Sequence, residues 1–291
     1  MSPSPFALQN EDLFKRWRDI KFRNYPSTFD EISISIKNPL ELSRLEKNEI
    51  TRIVKKTGLV HYTSDYAMDP SSIIRFGEQI GLKRINKNPF SDEEAVSCIT
   101  DKSQEGKTRG EYIPYTNKAI QWHTDGYYNP PEEQINGFIL HCVQKAAVGG
   151  ENDIMDPEII YALLRDRNKD ALAVLMQNDV LFIPANEDKT VTGRPDSIGP
   201  VFSVANGNLH MRYTARKTNI HWKEDSLWAV EILQQAIDGG SEYYFSATLE
   251  NGQGILTNNS LHRRGAFQDT PHSNRLMYRA RYYDRISGAE F

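Results

Sequence analysis

The chain has 291 residues, with 35 Lys plus Arg against 39 Asp plus Glu and a formal charge of −4, so no general electrostatic attraction draws it to phosphate backbones or anionic lipid. Its 38% hydrophobic and 10% aromatic content is that of a folded globular protein rather than a disordered one. A non-specific nucleic-acid or membrane role is thereby excluded, and the length allows one large domain or two small ones.

The opening stretch, MSPSPFALQNEDLFKRWRDIKFRNYP, mixes both charge signs where a signal peptide carries an apolar run. No apolar run reaches the roughly 18 to 20 residues that cross a bilayer, and the expectation is a cytoplasmic protein. A helix is expected from Leu42 to Lys56, where Leu42, Leu45, Ile50, Ile53 and Val54 form an apolar stripe stopped by Gly58. Asp69-Pro70 and Asp156-Pro157 each place a capping residue before a proline at the first helical position and predict two more helices. A fourth is expected from Asp225 to Ile237, ending at Gly239-Gly240. Strand-like runs are Gly137 to Val143, Val180 to Ile183, Val201 to Val204, Leu209 to Tyr213, Tyr243 to Leu249 and Arg275 to Tyr283, with Asn251-Gly252 as a hairpin-turn signal. Strands dominate the second half without regular strand-helix alternation, which predicts an α+β protein with an antiparallel sandwich or barrel core and helices outside. No repeat or linker divides the chain, so residues 1–291 are read as a single domain with a helical N-terminal portion and insertions. Cys98 and Cys142 are isolated and are expected to be packing residues.

Of seven histidines, only His123 has a carboxylate two residues away, in Gln121-Trp122-His123-Thr124-Asp125-Gly126. In an extended segment these two side chains share a face and can reach one metal ion; by itself the triplet equally describes a surface pair. A second histidine, His262, stands in Leu261-His262-Arg263-Arg264-Gly265-Ala266-Phe267, with Arg275 and Arg279 following. If Arg275 to Tyr283 is a regular strand, Arg275, Met277, Arg279 and Arg281 lie on one face.

The order His-x-Asp, distant His, then Arg resembles the taurine dioxygenase/2,4-D dioxygenase family of iron(II)- and 2-oxoglutarate-dependent oxygenases, and WHTDG, VGGEN and LHRRGAF are similar to that family's text around its functional residues. The resemblance implies a double-stranded β-helix (jelly-roll) core with flanking helices. It implies His123, Asp125 and His262 as Fe(II) ligands, Arg275 as the partner of the far carboxylate of 2-oxoglutarate, and Arg279 on the substrate side. Asn152 stands where the family has a threonine that helps hold 2-oxoglutarate, and an amide offers a similar donor. Two imidazoles and one carboxylate on one face of iron leave positions open for 2-oxoglutarate and O2, and a dianionic cosubstrate needs a fixed, planar cation. With Asp125 present, hydroxylation, or demethylation by way of it, is implied rather than halogenation. The family's sulfonate-binding histidine has no match between Gln79 and Asn88, which argues against taurine. Tyr127 and Tyr128 are read as candidate walls of the substrate pocket, and Arg212, in the basic stretch Met211 to Arg216, as a candidate substrate contact. The expected partner is a small polar, acidic molecule rather than nucleic acid or membrane, and the family's habits allow a homo-oligomer. A zinc hydrolase on a similar barrel, or a non-catalytic binding module, are the alternatives.

Overall fold

The structure, a computed structural model, describes residues 4–87, 95–103, 113–186 and 193–287. Its helices are α1 (Glu11–Phe22), α2 (Arg44–Thr57), α3 (Pro70–Glu78), α4 (Pro157–Arg167), α5 (Lys169–Leu175) and α6 (Leu227–Gly239). The strands in the first half are β1 (Ser33–Ser35), β2 (Leu59–Thr63), β3 (Ser97–Ile99), β4 (Ile120–His123), β5 (Gly137–Gln144), β6 (Val148–Gly149) and β7 (Asn152–Met155). Those that follow are β8 (Leu181–Ile183), β9 (Ser197–Gly199), β10 (Phe202–Ala205), β11 (Asn208–Met211), β12 (His221–Trp222), β13 (Tyr244–Ala247), β14 (Gln253–Thr257), β15 (Leu261–Arg264), β16 (Phe267–Gln268) and β17 (Leu276–Tyr282).

The expected helices form for the expected reasons. Ser43 and Glu46 close a capping box on α2, and Gly58 ends it at a φ of 75°. Asp69 and Asp156 cap α3 and α4, each with proline in the first turn. The fourth begins later than expected, because Glu224–Ser226 form a 3-10 turn before α6. The short helix α5 and the strands β2, β4, β14 and β15 carry no strong periodic signal and emerge only through their partners.

Six strands assemble in the order β1-β2-β14-β5-β17-β3, and four in the order β13-β7-β15-β4. The two sheets face each other: the Phe138 ring on β5 lies 5.0 Å from His262 on β15, and Arg279 on β17 reaches across to Asp125. The outer face of the four-stranded sheet presents Trp122, Met155 and Leu261 to Ile159, Ile160, Leu164, Leu172 and Leu233 of α4, α5 and α6. Behind the six-stranded sheet, α3 packs on β17, where Gly77 touches the Tyr282 ring. The antiparallel two-sheet core with helices outside accords with the expected class.

Asn251-Gly252 does not close a hairpin. β13 pairs with β7, whereas β14 pairs with β2 and β5, so the turn carries the chain from one sheet to the other. The Gly252 N–H donates to the Cys142 carbonyl and Asn251 accepts from the Lys145 N–H. Among the described residues no helix is long and apolar enough to cross a membrane.

Candidate metal centre

The centre forms where β15 runs beside β4, with His262 paired directly opposite His123. The two rings lie 4.2 Å apart between centroids. Each imidazole is oriented by its own strand: His123 Nδ1 lies 2.9 Å from the Gln121 carbonyl and His262 Nδ1 2.9 Å from the Ser260 carbonyl. A carbonyl only accepts, so both Nδ1 atoms carry the proton and both Nε2 atoms offer lone pairs. Asp125 lies just beyond β4 and is 5% exposed. Its N–H donates to Asn259 Oδ1, and Asn259 Nδ2 donates to the Asp125 and Ile135 carbonyls. The β14–β15 turn is thereby tied to the loop that carries Asp125. Gly126 turns that loop at a φ of 68°, with Ile135 so close that a Cβ has no room.

Ligand atoms of His123, Asp125 and His262 all lie within 4.8 Å of one another. Burial first, then the neighbouring His262, pulls His123 down to about 3, and burial likewise lowers His262. Burial by itself favours a protonated Asp125, but Arg279, Arg281 and the two imidazoles together hold it at about 2. At neutral pH the trio is therefore one carboxylate and two neutral imidazoles, the protonation state a cation needs. Asp125 Oδ2 is buried without a hydrogen-bond partner, an atom that a bound cation would satisfy. The donor set fits iron(II) with adjacent positions open.

Arg275 is 4% exposed, stacks over Phe267 at 5.0 Å, and has a buried Nη1 without a hydrogen-bond partner. It precedes β17, and the pairing slips between Leu276 and Met277. The extra residue at that slip is Val143 on β5. A Cβ at Gly150 would touch the Arg275 Nε and one at Gly149 would collide with the Ala266 carbonyl, and both glycines have positive φ. This glycine pair turns the chain into β7, whose first residue, Asn152, is buried opposite Arg264 and donates to the Gly150 carbonyl.

Arg279 lies 3.2 Å from Asp125 Oδ1; the nearest acidic group it meets is thus the candidate metal ligand. Tyr127 stands edge-on to His123 at 6.5 Å and accepts from Arg216. Arg212 donates from its guanidinium to the carbonyls of Leu181, Gly199 and Ser197 and to Ser197 Oγ, which ties β8 and β9 to β11. Arg281, placed by strand parity beside Arg279, donates to Tyr128 and Asn86; sequence reasoning missed Asn259, whose one available signal was its place in an Asn-Asn-Ser turn before His262.

A family model described as taurine catabolism dioxygenase TauD, TfdA family matches residues 21–281. The chain belongs to this family. Among curated proteins, a uridine-5'-phosphate dioxygenase from Amycolatopsis sp. is 32% identical over 171 residues, 55% of this chain and 60% of that protein. A uridine-5'-phosphate dioxygenase from Streptomyces sp. is 26% identical over 203 residues, 65% of this chain and 69% of that one. The match thus spans less than two thirds of the first relative. Among solved structures, a putative alpha-ketoglutarate-dependent taurine dioxygenase from Burkholderia xenovorans aligns with a TM-score of 0.59 at 15% identity, over 86% of this chain and 88% of that chain. Asparagine oxygenase in complex with Fe(II), 3-hydroxyasparagine and succinate aligns at 0.58 and 11%, over 86% and 93%. At such identities these likenesses show the TauD-like fold.

Proposed function

We propose that this chain is an iron(II)- and 2-oxoglutarate-dependent dioxygenase that hydroxylates, or oxidatively demethylates, a C–H bond of a small polar, acidic molecule in the cytoplasm, releasing succinate and carbon dioxide. Its two facing sheets are read as the double-stranded β-helix of a single oxygenase domain. The observation that carries the proposal is the trio His123, Asp125 and His262, with ligand atoms within 4.8 Å, beside an arginine, Arg275, whose buried Nη1 has no partner. A buried cation without a counterion is costly, and a dicarboxylate cosubstrate would relieve that cost. A zinc hydrolase has no use for such an anchor.

Bound iron(II) supplies the redox chemistry that couples dioxygen to oxidative decarboxylation of 2-oxoglutarate. The protein's part is positional and electrostatic. His123 and His262 stay neutral because burial opposes their protonation, and Asp125 stays ionised under Arg279 and Arg281. Arg275 takes the far carboxylate of 2-oxoglutarate and Asn152 supports the cosubstrate from β7. Arg279 faces the substrate's acidic group, and Tyr127 walls the pocket beside His123. The substrate class that the curated relatives suggest is a nucleoside 5'-phosphate, which is small, polar and acidic.

Anaerobic titration of metal-free protein with iron(II) and 2-oxoglutarate tests the proposal through the visible charge-transfer band of the chelate. The expected result is a band that is lost in His262→Ala and needs more 2-oxoglutarate in Arg275→Ala. Folded wild-type protein without a band refutes the oxygenase reading.

A further inference from the structure

Immediately after Asp125 and Gly126 the chain places two tyrosines side by side, Tyr127 and Tyr128, their rings 5.2 Å apart and perpendicular. Two arginines converge on this pair from separate segments. Arg216 donates to the Tyr127 hydroxyl at 3.1 Å, and Arg194 stacks its guanidinium over the Tyr128 ring at 5.4 Å. Tyr128 also accepts from Arg281 at 2.8 Å.

The position of Arg216 is tied to the metal strand itself. Thr214 bridges His123, the Ala215 N–H donates to the Trp122 carbonyl, and the Arg216 N–H donates to Thr214 Oγ1. The backbone of Arg216 is thus held against the strand that carries His123.

Neither Arg194 nor Arg216 has a carboxylate in ion-pair contact among the described residues. Asp196, whose charge reaches Arg194, spends an oxygen on the Ala185 N–H. Burial disfavours the charge of half-buried Arg194, whereas Tyr127, Tyr128 and Asp196 oppose that, and the exposed Arg216 adds a second positive charge nearby. Two guanidiniums anchored on one pair of tyrosines, neither spent on a carboxylate among the described residues, present their donors to an anion of more than one charge. A carboxylate offers two oxygens to one guanidinium fork, whereas a phosphomonoester dianion presents three to two forks.

We infer that Arg194 and Arg216, mounted on Tyr127 and Tyr128, form a subsite for the phosphate group of a phosphomonoester substrate and so set which C–H bond faces the metal. This subsite rests on the oxygenase reading for its purpose, but its anion chemistry stands separately.

The test is calorimetric titration of the full chain, loaded anaerobically with iron(II) and 2-oxoglutarate, with uridine 5'-phosphate, uridine and inorganic phosphate as probes. Arg194→Gln, Arg216→Gln, their double variant and Arg216→Lys are compared. The expected result is uridine 5'-phosphate binding at least a hundredfold tighter than uridine and competed by millimolar inorganic phosphate. Each single Gln variant is expected to lose roughly tenfold and the double variant about a hundredfold, with Arg216→Lys in between and the weak affinity for uridine unmoved. Equal binding of uridine and its 5'-phosphate overturns the inference, as does an unchanged affinity in a double variant that retains the chelate band. If the wild type shows no chelate band but the hundredfold loss persists, the oxygenase reading fails and the anion subsite stands.

Discussion

Replacement of Arg275 by methionine separates function from stability with opposite signs. The guanidinium is 4% exposed, and burial, only weakly opposed by Cys142 and Asp269, takes its pKa from 12.5 down to about 10. That fall corresponds to roughly 3 kcal/mol against the charged form in the empty protein. The stack on Phe267 returns about 1 kcal/mol, so an apolar side chain of similar length is expected to stabilise the metal-free fold by about 2 kcal/mol. For a chain of this size that raises Tm by a few degrees. The same change removes two charge-assisted hydrogen bonds to 2-oxoglutarate, at about 1.5–3 kcal/mol each, and so weakens cosubstrate binding at least a hundredfold. Differential scanning calorimetry of the metal-free protein and titration of the chelate band measure the two effects. A variant that melts several degrees lower and binds 2-oxoglutarate as well as the wild type refutes the assignment of Arg275 as an anchor waiting for an anion.

The metal-free protein is expected to be acid-labile well above the carboxylate range. His123 and His210 are held at about 3 and His141 at about 4, chiefly by burial, so below about pH 6.5 the unfolded chain binds more protons than the native one. Stability then falls with pH by up to about 1.4 kcal/mol per pH unit for each histidine, and a Tm that stays flat from pH 6.5 to 5 in the presence of a chelator contradicts this. Arg279→Met removes a cation that competes for Asp125 Oδ1; iron(II) is expected to bind about tenfold tighter while the substrate KM rises, and unchanged metal affinity by anaerobic titration counts against the pairing. Arg212→Met leaves three backbone carbonyls and Ser197 Oγ without their donor, which is expected to cost about 3–5 kcal/mol of stability with the substrate KM unchanged in the folded fraction. A raised KM at wild-type Tm restores Arg212 to the substrate.

How much of the site was legible follows from how each residue acts. His123 and Asp125 stood out as a histidine with a carboxylate two residues on, and the family resemblance joined His262 to them as a candidate trio. The Asp-Pro helix starts and the Gly58 stop were readable because caps act within one helical turn. Side-chain roles that depend on what lies across the core were not. Arg212 and Arg275 are both buried arginines next to or within strands, and composition cannot tell them apart. One meets three carbonyls and a hydroxyl, and the other has an Nη1 that meets nothing.

The sequence by itself determined the mixed class of the fold and the Asp-Pro helix starts, which depend on contacts within a few residues, and through the family resemblance it named a candidate metal trio. Tertiary structure decided the rest. It turned Asn251-Gly252 from a hairpin into a crossing between sheets, set a register slip at Val143 of β5 opposite the start of β17, tied Asn259 to the Asp125 loop, and gathered Arg194 and Arg216 on one pair of tyrosines. These outcomes depend on strand pairing between residues far apart in the chain, where the free energy lies in which surfaces meet rather than in any local pattern.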